Sequence, residues 1–142
     1  MDIVAVAFQH LAPREAYDVW KLRQDVFVVE QECAYPDLDG RDDEPGTRHV
    51  LLREEGDLLG YARVLDDDRV WRIGRVLLAP AARGRGLADP LMETALAVAT
   101  DRDVVLDAQS PLARWYETFG FEVVGEEFLE DGIPHLPMRL SR

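Results

Sequence analysis

A short run of glycines and arginines is the part of the sequence best suited to chemistry. The run Arg83-Gly84-Arg85-Gly86-Leu87-Ala88 follows an apolar, strand-like segment that ends at Pro80, and a helical pattern comes after it. Glycines let a backbone approach a ligand closely, and the free N–H groups at a helix start favour phosphate or pyrophosphate. The run predicts a phosphate-binding turn, although Gly84 and Gly86 also suit a tight turn that binds nothing.

Two common phosphate-binding motifs do not fit this turn. A P-loop has Gly-Lys-Ser or Gly-Lys-Thr after its first glycine, and neither follows here. A dinucleotide fingerprint starting at Gly84 and Gly86 would place Asp107 at a suitable distance, but Asp89 stands where the third glycine belongs. Only one parallel crossover is available, so we reject a Rossmann domain.

The rest of the sequence predicts the elements that position this turn. Apolar residues at helical spacing indicate helices over 13–29, 87–100 and 111–119. Strand-like runs cover 3–8, 50–53, 58–65, 70–79, 104–106, 121–124 and 136–140. Residues 35–46, rich in Pro, Asp and Gly, form a loop. The helix over 87–100 links two apolar strands, which should be parallel with a right-handed crossover. We expect an α/β fold with a mostly antiparallel sheet and one domain over residues 1–142.

Composition and charge limit the classes of function. The formal net charge of −12 argues against binding to nucleic acid or to an anionic membrane surface. No apolar run is long enough to span a bilayer and the first residues lack a basic start, so we expect a soluble, cytoplasmic protein. Cys33 is the one cysteine, which excludes an internal disulfide framework and a multi-cysteine zinc site, and no metal is expected.

The charges are unevenly distributed along the chain. Seven acidic residues and one arginine lie between Glu30 and Glu44, whereas five arginines lie between Arg69 and Arg85. The first segment is suited to a cation and the second to an anion.

Three sequence blocks resemble the GNAT superfamily of N-acetyltransferases. Arg83, Gly86 and Ala88 match the Arg/Gln-x-x-Gly-x-Gly/Ala motif of that superfamily. The block 115–121, Trp-Tyr-Glu-Thr-Phe-Gly-Phe, is similar to the downstream helix of the family, which carries a tyrosine and ends in Gly-Phe. The segments 27–40 and 130–135 resemble the ElaA branch. The resemblance covers nearly the whole chain.

This resemblance implies the GNAT fold, with a splayed parallel strand pair and flanking helices, and acetyl-CoA as the acyl donor. Main-chain groups of Val76 and Leu78 would hold the pantetheine arm and the acetyl carbonyl. The pyrophosphate would lie on Arg83, Gly84, Arg85, Gly86, Leu87 and Ala88. Two residues depart from the family pattern. Gln109 replaces an asparagine beside the cofactor arm, and Asp89 replaces a basic or polar residue.

The resemblance also assigns catalytic roles. Tyr116 matches the general acid that protonates the leaving thiolate. Glu30 lies near where GNAT acceptors enter, and its carboxylate would bind a cationic amine or relay its proton. His49 and His135 are further candidate bases, for which we expect structural roles. Arg75 either points into the acceptor pocket or forms an ion pair. Loop-forming roles are expected for Asp37, Asp39 and Asp42.

We therefore predict an acetyl-CoA-dependent N-acetyltransferase that acts on a primary amine by direct transfer in a ternary complex. A small cationic acceptor fits the acidic segment, a protein amine is also open, and the family allows a homodimer. No covalent intermediate is expected, because no cysteine or serine has a recognisable activating partner. Two alternatives stay open. One is a non-catalytic acyl-CoA sensor of the same fold, and the other is an enzyme like the acyl-homoserine-lactone synthases.

Overall fold

One mixed sheet of eight strands organises the chain, and the computed structural model describes all 142 residues. The strands are β1 (Asp2–Val6), β2 (Arg48–Glu54), β3 (Asp57–Asp66), β4 (Trp71–Leu78), β5 (Val104–Gln109), β6 (Glu122–Val123), β7 (Phe128–Glu130) and β8 (Ile133–Leu140). Their order is β1-β2-β3-β4-β5-β8-β6, with β7 beside β8. Every pair is antiparallel except β4 with β5, so the predicted fold class is confirmed.

The first helix changes its geometry halfway along. Helix α1 (Pro13–Arg23) continues directly into a π-helix (Gln24–Glu30), so the predicted helical extent of 13–29 is confirmed, whereas the change to π geometry after Arg23 was not predicted. Apolar spacing could not reveal the change, because the wider turn still buries Val26. The other helices are α2 (Ala88–Val98) and α3 (Ala113–Glu117), and a 3-10 turn (Ser110–Leu112) precedes α3. No helix has the length and apolar character needed to cross a bilayer.

The two faces of the sheet have separate cores. On one, which we call the α2 face, Val50, Leu52 and Ile73 pack with Leu91 and Met92 of α2. On the other, the α1 face, the strand residues Leu51, Tyr61 and Leu77 pack with Val19 and Val26. Alternate residues of one strand therefore serve opposite faces, as the two-residue period of a strand requires.

The parallel strands β4 and β5 separate soon after they meet. They pair only at Trp71 with Val104 and at Arg72 with Val105. Against β3, Tyr61 pairs with Leu77 and Arg63 pairs with Gly74, so β4 contains one extra residue between these pairs. This is a β-bulge, and within it Arg75 has a φ of 52°. A bulge bends its strand, and here it accompanies the divergence of β4 from β5. The predicted splayed pair is confirmed.

The C-terminal hairpin was only partly predicted. Strand β8 begins at Ile133 rather than at residue 136, and β7 was missed altogether. Asp131 and Gly132 connect the two strands with φ values of 52° and 80°. An Asp-Gly pair at positive φ is the usual two-residue hairpin turn, so this dipeptide was the available signal.

Candidate active site

The gap between β4 and β5 is a cleft of about 880 Å³. Its walls include the β4 stretch 74–78 and the β5 residues Leu106, Asp107 and Gln109. Tyr116 of α3 and His135 of β8 also line it. The cleft therefore lies where the parallel strands separate, which in open α/β sheets is a favoured place for ligands.

The glycine turn next to the cleft is open to a ligand. Gly84 and Gly86 have φ values of 76° and 74°, and no atom lies within 4 Å of where a Cβ would stand on either. Such φ values favour glycine, so both glycines are required by the backbone as well as leaving space above it. Helix α2 begins at Ala88, directly after this turn. A pyrophosphate fits the combination of open backbone and helix start.

The arginine side chains of the turn are already engaged. Arg83 forms a two-pronged ion pair with Glu30, at 2.6 and 2.8 Å, and also donates to the carbonyl of Leu78. Arg85 pairs with Glu54 at 2.9 Å. Since these guanidinium groups hold the turn to the π-helix and to β2, the backbone N–H groups are what the turn offers an anion.

Glu30 is bound to Arg83 and does not line the cleft. The hydrogen bond from Arg83 lowers the pKa of this exposed carboxyl, which makes it a weaker proton acceptor. Its predicted base role stays a prediction, but the geometry shows a different task, which is to hold Arg83.

Gln31, the residue after Glu30, connects the π-helix to the opposite wall of the cleft. The side-chain amides of Gln31 and Gln109 exchange two hydrogen bonds, at 3.3 and 3.5 Å. Gln109 was predicted to lie beside the cofactor arm, and it does line the cleft. Together, Glu30 and Gln31 form a bridge between the ends of the two diverging strands.

Tyr116 lies in the wall of the cleft, only 6% exposed. Its ring packs edge-on against Phe121 and beside Trp115. Burial raises the pKa of its hydroxyl to about 12, so the group carries its proton at neutral pH. A protonated hydroxyl in the wall is able to act as a proton donor. Val76, Leu78 and Ala88, which were predicted to bind the acyl donor, line the same cleft.

The acidic loop is held by a buried network of ion pairs that sequence reasoning missed. Arg23 pairs with Asp37 at 2.9 Å and with Asp42 at 2.6 Å, and its side chain is fully buried. Arg63 and Arg75 both pair with Asp39, at 2.7 and 3.4 Å. Burial alone would raise the pKa of Asp39, but the hydrogen bond and charge of Arg63 hold it well below its usual range. The charges of Asp37, Asp39 and Asp42 in this loop are therefore neutralised within the protein.

The loop-forming role expected for three aspartates is seen for Asp39 and needs correction for Asp37 and Asp42. Asp39 does accept a hydrogen bond from the backbone N–H of Arg41, as a loop-forming aspartate does. Asp37 and Asp42 act as partners of Arg23 instead. The available signal was Arg23 itself, which occupies an apolar position in the spacing of the first helix. Arg75 takes the ion-pair role that the sequence had left open, and it also lines the cleft.

The two candidate histidines differ in their surroundings. His49 is buried, with Nδ1 beside the Tyr61 hydroxyl and Nε2 donating to the Asp42 carbonyl at 2.9 Å. Burial lowers its pKa, and its expected structural role is confirmed. His135 instead lines the cleft, with Nδ1 donating to the Ile133 carbonyl at 2.7 Å. A carbonyl only accepts, so when the ring is neutral its Nε2 is free to take a proton.

Asp89, the acidic departure at the phosphate turn, has a structural partner. The indole N–H of Trp115 donates to its carboxylate at 2.8 Å, which ties the start of α2 to α3. No group of three or more His, Cys, Asp or Glu side chains is arranged to hold a metal ion.

Comparisons with known proteins agree with this architecture. A family model described as an acetyltransferase (GNAT) domain matches residues 18–142. Protein ElaA of Escherichia coli is 42% identical over 135 residues, covering 90% of this chain and 88% of ElaA. A UPF0039 protein of Mycobacterium tuberculosis is 44% identical over 133 residues, covering 90% of this chain and 85% of that protein.

Solved structures superpose closely on the chain. The crystal structure of Escherichia coli ElaA has a TM-score of 0.95 at 36% identity, covering 99% of this chain and all of ElaA (100%). An acyl-CoA N-acyltransferase from Pseudomonas aeruginosa has a TM-score of 0.94 at 40% identity, with coverage of 99% and 100%. The chain therefore belongs to the GNAT acetyltransferase family, and its resemblance to the ElaA branch is confirmed.

Proposed function

We propose that this protein transfers an acetyl group from acetyl-CoA to the primary amine of a small acceptor, directly and in a ternary complex. The observation that carries the proposal is the separation of β4 from β5 after two residue pairs, beside an open glycine turn. The Pseudomonas aeruginosa relative, named an acyl-CoA N-acyltransferase, supports the same donor class.

Backbone groups of the protein would bind acetyl-CoA more than side chains would. The side chains of Arg83 and Arg85 are occupied by Glu30 and Glu54, and the Arg83 amide donates to the Pro80 carbonyl, so the amides from Gly84 to Ala88 would bind the pyrophosphate. Main-chain groups of Val76 and Leu78, in the part of β4 that does not pair with β5, would hold the pantetheine arm. The Leu78 carbonyl already accepts from Arg83, so Leu78 would contribute mainly its N–H.

The chemistry requires three proton transfers. An amine with a pKa of about 10.4 is mostly protonated at neutral pH, so a base or water must first remove a proton. The amine nitrogen then bonds to the thioester carbon, the bond from carbon to sulfur breaks, and the nitrogen releases a second proton to solvent. Tyr116 donates its proton to the departing thiolate, and solvent returns a proton to Tyr116. The cleft-lining His135 is a better placed proton acceptor than Glu30, because Glu30 is bound to Arg83.

The test combines binding with turnover. Calorimetry at moderate salt should detect acetyl-CoA binding, and free CoA should be released when a panel of primary amines is added. Absence of acetyl-CoA binding would refute the proposal at its first step. Binding without turnover across the panel would favour the acyl-CoA sensor. Turnover only with S-adenosylmethionine and an acyl carrier would favour the synthase-like alternative.

A further inference from the structure

The wall of the cleft on the α1 face is lined with guanidinium groups. Arg41, Arg63, Arg72 and Arg75 all line the cleft. The glycine turn lies at the start of α2, whose apolar side packs on the opposite face of the sheet. An acceptor that meets a donor held by that turn therefore approaches from the α1 face, past these arginines.

These arginines surround an open space above Gly74. Arg63 pairs with Gly74 across β3 and β4, and Leu65 pairs with Arg72, so the four side-chain positions share one face. No atom lies within 4 Å of where a Cβ of Gly74 would stand. The missing side chain leaves a pocket with Arg63 and Arg72 at its sides and Arg75 next along the strand.

The acids that pair with these arginines mostly lie behind them. Asp67 joins Arg41 to Arg72, at 2.7 and 2.9 Å, yet it does not line the cleft. The same is true of three further partner acids, Asp37, Asp42 and Glu44. The carboxylates fix the guanidinium groups in place, and the guanidinium groups form the wall that a ligand meets.

Asp39 and Asp107 are exceptions, because both line the cleft themselves. Asp39 is held in ion pairs by Arg63 and Arg75. Asp107 is exposed and lies 3.6 Å from Arg72, beyond hydrogen-bond distance. Its carboxylate is therefore available to an ammonium group.

We propose that the pocket above Gly74 binds the carboxylate of the acceptor, which is an amine of the amino-acid type. Guanidinium groups bind carboxylates through two parallel hydrogen bonds. Asp67 accepts a hydrogen bond from Nε of Arg72 and leaves both terminal nitrogens of Arg72 open for that geometry, whereas Arg75 adds its Nη1 as a single donor. Asp107 receives the ammonium before it is deprotonated. This inference rests on the proposed function and departs from the sequence-based expectation of a small cationic acceptor, because Asp37, Asp39 and Asp42 of that loop are paired internally.

The experiment compares matched acceptors that carry either a carboxylate or a neutral carboxamide, each tested above the pKa of its amine. Amino acids and their uncharged carboxamides are tested as acetyl acceptors, and their binding to the CoA-saturated protein is measured by calorimetry. We expect kcat/KM and affinity to favour the carboxylate about tenfold or more, as a charged hydrogen bond predicts. Arg72→Gln should remove this preference. Arg69→Gln, at an exposed arginine outside the cleft, should keep it.

A second variant probes the pocket without changing charge. Gly74→Val should fill the space and weaken carboxylate binding, and thermal melting reports whether each variant folds. Equal or stronger use of the carboxamides, or a preference that survives both Arg72→Gln and Gly74→Val, would overturn the proposal. So would a lack of carboxylate binding to the wild-type protein. Loss of acetyl-CoA binding would instead refute the proposed function, since calorimetry tests the pocket separately from turnover.

Discussion

Tyr116 combines burial with a place in the wall of the cleft, and this combination makes its role testable. Its hydroxyl stays protonated at neutral pH because burial raises its pKa to about 12. Replacing Tyr116 with Phe removes the proton donor and keeps the packing against Phe121. We expect kcat to fall about 10²-fold or more, as loss of general acid catalysis predicts.

The matched control for that variant is Tyr17→Phe, at a tyrosine that is 57% exposed on α1. Stopped or steady-state assays of CoA release should show no change in the control. An unchanged kcat in Tyr116→Phe would remove Tyr116 from the mechanism.

For Glu30 we expect only a small effect of substitution on kcat. Since its carboxylate holds Arg83, Glu30→Gln should alter kcat by less than about tenfold, below the range of lost general base catalysis. The acid limb of the pH profile of kcat/KM should keep its position. A fall of kcat by about 10²-fold with loss of that limb would instead restore the predicted base role.

The buried ion pairs mark the limit of residue-level prediction. Asp37 and Asp42 could be recognised as acidic loop residues, but their partner Arg23 lies 14 and 19 positions away along the chain. Pairing over such distances depends on how the loop folds back over the π-helix. Local sequence rules therefore identified the loop and missed what it binds.

Among the elements, the strand–turn–helix unit from β4 to α2 was the most predictable. Two residues of its turn have φ values near 75°, a conformation that favours glycine. The requirement is therefore visible in the sequence as two glycines. The short strand β7 and the change from α1 to the π-helix left weaker signals, because neither alters the apolar pattern over several turns. The cleft could be predicted only through the family resemblance, since strand divergence has no local sequence signal.

The role of the glycine turn can be tested by placing a side chain on Gly86. Gly86→Val should place a side chain in the space proposed for the pyrophosphate and raise the Kd for acetyl-CoA about tenfold or more, since a charged hydrogen-bonded ligand would be displaced. Gly56→Val is the matched control. Gly56 also has a positive φ, of 85°, and open space around it, but it lies in the hairpin between β2 and β3.

Both variants should lose similar stability in thermal melts, because both strain the backbone. Calorimetry should separate them, with only Gly86→Val losing affinity for acetyl-CoA. Equal affinities in the two variants would show that the turn has only a structural purpose.

For the whole molecule, the net charge of −12 hides a division between surface and interior. Arg23 and Arg63 are buried and pair with acids of the loop over 35–46, so ion pairs dock this loop on the protein. Length and composition predicted a single acidic, globular domain, but they could not reveal which charges are paired. That pairing decides which charges the cleft presents to an acceptor.

The same interior predicts how stability depends on pH. Burial lowers the pKa of His49 from its ordinary 6.5, so the unfolded chain gains a proton that the native protein resists. Stability is then complete above about pH 6.5 and falls below it, by at most about 1.4 kcal/mol per pH unit for one proton. Burial would raise the pKa of Asp42, but the hydrogen bond from Arg23 lowers it, so a further loss begins below about pH 4.

Denaturant unfolding between pH 7 and 5 would measure this effect. His49→Gln should show a flatter pH dependence than the wild type, whatever its absolute stability. His10→Gln, at an exposed histidine, should keep the wild-type slope. If His49→Gln also keeps that slope, another group is responsible for the loss.

The contacts of Glu30 and Gln31 fix the width of the cleft mouth by side-chain length rather than by the sheet. One residue holds Arg83 beyond β4, and the other holds Gln109 at the end of β5. Any widening stretches both pairs at once. These polar groups lie near water, which replaces such contacts at little free-energy cost. The width of the entrance can therefore change without disturbing either hydrophobic core. The polar rim of the cleft yields, whereas the packed sheet beneath it keeps its shape.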